Sequence, residues 1–409
     1  MPIVRISRVL GLTPHETSTL LWCWFFIFSL FAAYYVLRPI RDEMGSAGGV
    51  DTLAWLFTGT LLAMLALNPL FGWLVQRLPR EKFIPLSYQF FSLKLTAFAT
   101  LLEFGPTDWQ VWIGPTFFIW TSVFNLFVAS VFWSYAADTF SQAQGKRFFG
   151  FLSAGATLGG ILGSWLTTKL ILSIDRNGLL ILSVLFLQLS IICFYRVSRK
   201  ISVDAGDDPQ RDIIGGSALA GMHRVMQSSY LAGISCFILL NSIITTLLYF
   251  HQASIAHLEW SDMASRTAFF ASINFSINST TLLLQLLLTA RMMKRLGVGI
   301  TLSTLPLVSV LGCTVLALQP SATTLTWVQV MRRASNFAFA KPAREVLFTT
   351  LEREDRYKAK NFIDTVIYRA GDQIGSWLYA GMRRLSAPLS SILFFAAALS
   401  IAGFTLALW

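Results

Sequence analysis

Seven basic residues of this 409-residue sequence lie inside segments that are otherwise strongly apolar. A charged side chain at the centre of a lipid bilayer costs about 2.5–3.5 kcal/mol on insertion scales. Such residues are expected only where they line water, pair with acidic side chains or bind an anion. The seven are Lys94, Lys169, Arg332, Arg333, Lys341, Arg344 and Arg369.

The segment VQVMRRASNFAFAKPAREVLFTT contains the densest group of these bases. Drawn as a helix at about 100° per residue, it gathers four polar residues within one arc of about 140°. These four are Arg333, Asn336, Lys341 and Arg344, whereas Arg332 points elsewhere. Pro342 is expected to kink the helix and to free a backbone carbonyl. The arc indicates an anion site on a cavity wall; the alternative is a cytoplasmic helix end whose bases snorkel to water.

The following segment, FIDTVIYRAGDQIG, supplies acidic side chains on a comparable arc. Asp364 and Asp372 lie there with Arg369. Pairing within the helix is one interpretation, and a carboxylate that takes up and releases a proton is the other. Glu345, in the preceding segment, is a further candidate for charge pairing.

A second charged group ends the first apolar segment, in AAYYVLRPIRDEMG. It contains Arg38, Arg41, Asp42 and Glu43. In an outer loop these residues would form a solvated cluster. Two arginines beside acids and below two tyrosines equally suit a clamp for a phosphate or carboxylate.

Three single residues complete the candidate binding site: Lys94, Asn125 and Trp133. Lys94 falls near the middle of its apolar segment, where a lone lysine is typical of a functional site. Trp133 could stack on a ring or simply pack. The four histidines, His15, His223, His251 and His257, lie outside the predicted spans, so we expect no metal site, no cofactor and no catalytic residue.

The elements that position these residues are transmembrane helices. The sequence is 55% hydrophobic and only 13% charged, against about 25% charged residues in a soluble protein. At about 20 residues per span, the chain has room for about twelve helices. The predicted spans are residues 19–37, 53–75, 84–104, 112–136, 148–172, 179–197, 230–250, 267–290, 298–318, 325–349, 362–381 and 389–408.

The polar interval 198–228 contains Asp-Asp-Pro and Gly-Gly, which is typical of a cytoplasmic linker. It separates an N-terminal half, residues 1–197, from a C-terminal half, residues 229–409. Laying GKRFFGFLSAGATLGGILGSWL on YKAKNFIDTVIYRAGDQIGSWL aligns a lysine, a glycine and a final Gly-Ser-Trp-Leu, at matching spans of the two halves. In the first segment, Gly155, Gly159 and Gly163 form a face that favours close helix packing, with a hinge as the alternative.

Basic residues are concentrated in alternate loops, which places both termini in the cytoplasm by the positive-inside rule. The net charge of +11 therefore reflects membrane topology, and no nucleic acid is expected as a partner. Membrane lipid is the expected surrounding partner, and the protein is expected to be a monomer.

Three blocks resemble the non-mitochondrial ADP/ATP translocases of plastids and intracellular bacteria: residues 37–42, 124–160 and 341–376. The first block, LRPIRD, resembles their Leu-Arg-x-x-Lys-Asp, and the third includes Arg344-Glu345 and Ile363-Asp364. The resemblance implies a major facilitator fold of two six-helix halves and a nucleotide-exchanger-like branch from bacteria. Arg41 and Asp372 both stand where that family has lysine, and the second change reverses a charge.

Together these features predict an all-α membrane protein that acts as a secondary transporter by alternating access. We expect its substrate to be an organic anion, with nucleotide exchange of the ATP/ADP type as the finer expectation. The expected location is a bacterial inner membrane. A proton-coupled permease or exporter of another solute is the alternative. A membrane-embedded enzyme is disfavoured for want of clustered histidines or a nucleophile, and a sensor for want of an appended signalling domain.

The basic-residue asymmetry leads to a topology prediction. Reporter domains fused after residue 297 and after residue 409 should both report a cytoplasmic position, because both points come after an even number of predicted spans. A periplasmic signal from either fusion would contradict the predicted orientation.

Overall fold

A computed structural model describes residues 14–140, 142–201, 225–348, 359–360 and 362–409. Within these ranges the chain forms twelve helices. The first four are α1 (Pro14–Ala47), α2 (Gly49–Arg77), α3 (Arg80–Phe104) and α4 (Thr107–Thr139). Helices α5 and α6 make up Gln142–Ile201 and are separated at Asp175, which has a φ of 54°.

Helix α7 is Ser229–Glu259. Helices α8 and α9 make up Met263–Leu318 and are separated at Gly297, which has a φ of 79°. Helix α10 comprises Ala322–Ser335, a π-helical turn at Asn336–Ala340 and Lys341–Phe348. Helix α11 comprises a π-helical turn at Ile363–Ile367 and Tyr368–Arg384, and α12 is Leu389–Leu408.

The prediction of an all-α membrane protein with about twelve spans is confirmed. By length and composition, seven stretches of the described chain are apolar enough to cross a membrane. Two of them, Phe148–Arg199 and Met263–Leu318, are 52 and 56 residues long and contain two helices each. Helices α3, α10 and α11 fall outside this set because they carry more polar residues.

Several helices extend beyond the predicted spans. Helix α1 continues through Pro39 to Ala47, so its charged residues lie on a helix and not in an outer loop. The buried side chains of Ile40 and Met44 hold this extension against the core. Helix α7 contains His251 and His257, so the prediction that all histidines lie outside the spans was wrong for these two.

The chain groups into two compact units. Unit 1 contains Met1–Gly45, Leu62–Pro209 and Asp262–Phe275, and unit 2 contains the remaining residues. The first part of α2 thus groups with unit 2, and the first part of α8 groups with unit 1. The division of the sequence into two halves stays a prediction, and most of its linker, residues 202–224, lies outside the described residues.

Aromatic packing around α1 forms the core of unit 1. Phe26 is fully buried, and its ring lies 5.1–6.0 Å from the rings of Tyr88, Phe132 and Phe194. These residues come from α3, α4 and α6, so one ring joins four helices. Offset and edge-on ring contacts of this kind stabilise beyond their buried area.

The α5 glycines bring α5 into backbone contact with α1. A Cβ atom at Gly159 would overlap the carbonyl oxygen of Phe28, and one at Gly163 would lie 2.5 Å from the carbonyl oxygen of Ala32. Small residues allow such close approach inside membranes. The packing interpretation of this motif accounts for these contacts.

The matching residues of the C-terminal half pack in the same way. In the sequence alignment Gly159 falls on Gly371, and Gly163 falls on Gly375. A Cβ at Gly371 would lie 2.6 Å from the Cβ of Ser242, on α7, and one at Gly375 would lie 3.0 Å from the carbonyl oxygen of Ile243. The α1–α5 contact of unit 1 therefore has a counterpart in the α7–α11 contact of unit 2.

Substitution of Gly159 should test this packing. We expect Gly159→Leu to lower the melting temperature of the detergent-purified protein, because overpacking costs about 1–3 kcal/mol and here the obstacle is backbone. Gly150→Leu is the matched control on the same helix, since a Cβ at Gly150 meets nothing within 4 Å. Equal melting temperatures for the two variants would refute the close contact.

Candidate functional site

The charged end of α1 lies in unit 1 and centres on the carboxylate of Asp42, a residue that is 3% exposed. Arg41 donates to Oδ1 of Asp42 from Nε at 3.0 Å and from Nη2 at 2.5 Å. One turn earlier, Nε of Arg38 lies 3.9 Å from Oδ2 of the same carboxylate. Two guanidinium groups therefore share one carboxylate, and the three side chains keep a net positive charge.

The two arginines differ in how many of their N–H groups have a hydrogen-bond acceptor. Arg41 is fixed against α4, with Nη1 donating to Oγ of Ser122 at 3.4 Å and the guanidinium 4.9 Å from the Phe118 ring centre. The guanidinium of Arg38 lies 5.6 Å from the Tyr35 ring centre. Its buried Nε has no hydrogen-bond acceptor in the described part of the chain. Arg38 is therefore the group with donor capacity left for a phosphate or carboxylate.

Glu43 has a separate partner. Its Oε1 accepts hydrogen bonds from Nε of Arg266 at 3.2 Å and from Nη2 at 2.9 Å. Arg266 lies in the first turn of α8, which Asp262 caps by accepting the backbone N–H of Ser265 at 2.7 Å. That hydrogen bond lowers the pKa of Asp262, which lies outside the membrane-spanning segment. Since Glu43 and Arg266 neutralise each other, Glu43 adds no net charge to the α1 cluster.

The other candidates of unit 1 lie apart from this cluster. Lys94 is exposed, and its Nζ is 5.5 Å from the ring centre of Phe90, which is itself 50% exposed. Within the described residues Lys94 makes no contact with the α1 charges. Asn125 and Trp133 are half-buried on α4. Trp133 packs edge-on against Phe149 at 5.9 Å, which is a packing contact between α4 and α5.

In unit 2, Asp372 is buried and fully engaged. Its Oδ1 accepts hydrogen bonds from Ser242 at 2.6 Å and Thr246 at 3.2 Å, both on α7. Its Oδ2 lies 3.1 Å from Nη1 of Arg369. Of the two intrahelical pairings considered for Arg369, this is the one that forms. The charge of Asp372 is thus neutralised by a residue of its own helix.

Arg332 is the most deeply buried charge of unit 2, at 1% exposure. Its Nε donates to Ser309 on α9 at 3.0 Å, and its Nη2 donates to the Asn241 side chain at 2.8 Å and to Thr245 at 2.9 Å. No carboxylate contacts it among the described residues. Neutral oxygens of α7 and α9 therefore hold this guanidinium, and α10 is tied to both helices.

The kink predicted at Pro342 takes the form of a π-helical turn. The proline ring displaces the carbonyl of Ala338, four residues earlier, from the helical ladder. That oxygen accepts a hydrogen bond from Thr289 of α8 at 2.8 Å, and the Phe337 carbonyl accepts one from Gln285 at 3.2 Å. Both donors lie in the π-helical turn of α8, Gln285–Thr289. Side chains of the α8 turn therefore satisfy two backbone carbonyls of the α10 turn.

This turn changes the arc predicted for α10, because a π-helix adds residues to the turn and rotates the rest of the helix. Arg333, before the turn, and Asn336, the first residue of the turn, are half-buried, whereas Lys341 is exposed after it. Nη2 of Arg344 lies 3.2 Å from Oδ1 of Asp364, and Glu345 pairs with Lys360 at 2.5 Å. The residues predicted to share one face therefore divide into two groups.

Sequence reasoning missed the polar residues of α7 that supply most partners of Arg332 and Asp372. They are Asn241, Ser242, Thr245 and Thr246. Most recur at helical spacing along one side of an apolar span. That spacing is the signal by which the sequence could have identified them.

Helices long and apolar enough to cross a membrane, with ion pairs and polar networks among them, are typical of an integral membrane protein. Residues 17–340 match the sequence profile of the Major Facilitator Superfamily, and the chain belongs to that family. Among characterised proteins, the chain is 23% identical to ADP,ATP carrier protein 2 of Chlamydia pneumoniae, over 85% of this chain and 79% of the carrier.

Solved structures agree on the fold. The chain superimposes on a POT family transporter in complex with 5-aminolevulinic acid with a TM-score of 0.65 at 12% identity, covering 95% of this chain and 94% of the other. For the nucleoside transporter NupG the TM-score is 0.63 at 12% identity, covering 96% and 99% of the two chains. At these identities the likeness supports the major facilitator fold and carries no information on substrate.

Removal of the Arg332 guanidinium should destabilise unit 2. We expect Arg332→Ala to lower the free energy of unfolding by about 2 kcal/mol or more, because hydrogen bonds to a charged group contribute about 1.5–3 kcal/mol each. Thermal unfolding of the purified protein measures the effect. Met331→Ala is the control, since that neighbouring side chain is 45% exposed. The structural role of Arg332 would be disproved by equal melting temperatures for both variants.

Proposed function

We propose that this membrane transporter moves an organic anion, and that nucleotide exchange of the ATP/ADP type is its activity. The observation that carries the proposal is the pairing of two arginines with one carboxylate in α1. Arg38 and Arg41 share the carboxylate of Asp42, and Nε of Arg38 has no hydrogen-bond acceptor among the described residues. An anionic group would supply the missing acceptor.

The relative from Chlamydia pneumoniae supports the nucleotide as the finer assignment, since its name is that of an ADP,ATP carrier. The α1 arginines fall in the block that resembles this group of carriers. Phosphate groups would bind Arg38 and Arg41, and the Tyr35 ring beside Arg38 offers a surface on which a nucleobase could stack.

Asp372 is compatible with an anionic substrate, because its charge is balanced by Arg369 at 3.1 Å. The same buried carboxylate motivates the second candidate function, a proton-coupled permease or exporter of another solute. The two functions differ in what drives uptake. Exchange requires nucleotide inside the vesicle, whereas proton coupling requires a pH gradient.

The remaining assignments belong to the same proposal. The protein is a monomer in a bacterial inner membrane, with both termini in the cytoplasm. Asn125 and Trp133 of unit 1 belong to the proposed set of substrate-binding residues, and so do Arg333, Asn336 and Lys341 of unit 2. Of the proposed substrate-binding residues, Lys94 has the least support, because its side chain lies on an exposed apolar surface.

Uptake of labelled ATP into proteoliposomes preloaded with ADP tests the proposal. Arg38→Ala should reduce uptake about tenfold or more, since a charge-assisted hydrogen bond contributes about 1.5–3 kcal/mol. Arg384→Ala is the control, because this arginine is 59% exposed and pairs with an exposed Asp51. Melting temperatures of both variants establish that they are folded.

Three results bear against the proposal in different ways. Undiminished anion uptake by Arg38→Ala would remove the role of that arginine. Uptake that needs a pH gradient and no internal nucleotide would favour proton coupling. Robust transport of a cation alone would reject the anion assignment altogether.

A further inference from the structure

Unit 2 contains a cavity of about 530 Å³ at one end of its helices. Its walls come from the first turns of α7 and α9 and from the last turns of α10 and α12. In the predicted topology all four helix ends lie on the cytoplasmic side. The lining residues most relevant here are Tyr230, Ile234, Gly299, Leu302, Arg344 and Leu347.

The walls of the cavity are mainly apolar. Ile234, Phe237 and Leu302 are buried side chains of the wall. The Tyr230 hydroxyl is engaged, since it donates to the carbonyl oxygen of Leu347 at 3.0 Å. A water-soluble polyanion is disfavoured in such surroundings, because its remaining charges would be buried without partners.

Arg344 is the charged residue among those that line the cavity. One edge of its guanidinium is used, with Nη2 3.2 Å from Asp364. Its Nε is buried and has no hydrogen-bond acceptor among the described residues. An unsatisfied donor of this kind is costly, and a ligand with an acidic oxygen would satisfy it.

The mouth of the cavity is exposed at Ser229, Gly299 and Trp409. Shortly before Gly299, the last two turns of α8 present three exposed bases: Arg291, Lys294 and Arg295. Basic residues at the cytoplasmic membrane surface attract anionic lipid headgroups, and tryptophan is enriched at the same depth. Cavity and bases therefore match an amphiphile that carries a negative headgroup.

We propose that this cavity binds an anionic phospholipid of the cytoplasmic leaflet. One acyl chain lies along the apolar wall of α7, α9 and α12, and a phosphate oxygen accepts the hydrogen bond of Arg344 Nε. The volume falls within the range of about 300–1,000 Å³ typical of ligand pockets. The lipid would join four helices of unit 2, and this role does not rest on the substrate proposed above.

Two variants test the site by different routes. Arg344→Gln removes the charge and leaves the cavity, whereas Gly299→Leu fills the mouth and leaves the charge. A Cβ at Gly299 would lie 3.7 Å from the Ala407 carbonyl oxygen, which is an ordinary van der Waals distance, so the first atom of the leucine side chain fits without a clash. The matched controls are Arg384→Gln, at an exposed ion pair, and Gly381→Leu, where a Cβ meets nothing within 4 Å.

Delipidated full-length protein in detergent is titrated with phosphatidylglycerol, and separately with phosphatidylcholine, while melting temperature and lipid adducts in native mass spectra are recorded. We expect phosphatidylglycerol to bind the wild type and both controls with equal affinity. Arg344→Gln and Gly299→Leu should each weaken binding about tenfold or more, the loss expected for one charge-assisted contact or for an occluded cavity. Phosphatidylcholine should bind more weakly to all five proteins.

Unchanged phosphatidylglycerol affinity in both variants would overturn the proposal, and so would equal binding of phosphatidylcholine. Titration with inorganic phosphate and with ATP separates a lipid site from a site for soluble anions. If either anion competes with phosphatidylglycerol at this site, the lipid assignment is wrong. Should Arg344→Gln fail to fold, Gly299→Leu still decides the question. Nucleotide transport by Arg344→Gln is measured in parallel, so failure of the lipid proposal remains distinguishable from failure of the transport proposal.

Discussion

The hydrocarbon interior of a bilayer offers no hydrogen-bond partner, and this constraint accounts for how the charges of this chain are arranged. Asp42 receives two arginines, Asp372 receives Arg369 and two hydroxyls, and Arg332 is surrounded by neutral oxygens. At Asp372 and Arg332, the groups that meet the charge come from other helices as well. Because a buried charge needs partners within the protein, these residues also link neighbouring helices. Arg38 and Arg344 differ from these residues because each has a buried Nε without a hydrogen-bond acceptor among the described residues. Each can therefore donate a hydrogen bond to an anionic ligand.

Glycine residues allow equivalent close helix contacts in the two units. Gly159 and Gly163 bring α5 to the backbone of α1, and Gly371 and Gly375 bring α11 to α7. The aligned Gly-Ser-Trp-Leu segments thus mark more than a chance match, since the residues around them perform equivalent packing in each unit. In unit 1 this packing supports the helix that carries Arg38 and Arg41. In unit 2 it places Ser242 against α11, where the hydroxyl bonds Asp372.

The sequence was sufficient to predict the helices. Hydropathy predicted about twelve spans, because a membrane imposes length and composition directly. Helix ends were predicted less well: α1 continues past Pro39 because Ile40 and Met44 are buried, which no local signal encodes. The arc drawn on α10 grouped Arg344 with Arg333, because a regular 100° projection takes no account of the π-helical turn that lies between them. Partners were the least predictable part. Arg344 pairs with Asp364, and Arg332 donates to neutral oxygens, because other helices place these groups nearby in three dimensions.

The π-helical turns of α8, α10 and α11 have a mechanical consequence. Sharp helix kinks are commonly found at turns of this kind. In α11 the turn at Ile363–Ile367 precedes Gly371 and Gly375, where close contact holds the helix against α7. A bend at the turn would shift Asp364 and its ion pair with Arg344 relative to Asp372 and its hydroxyl partners, which lie on the portion held against α7.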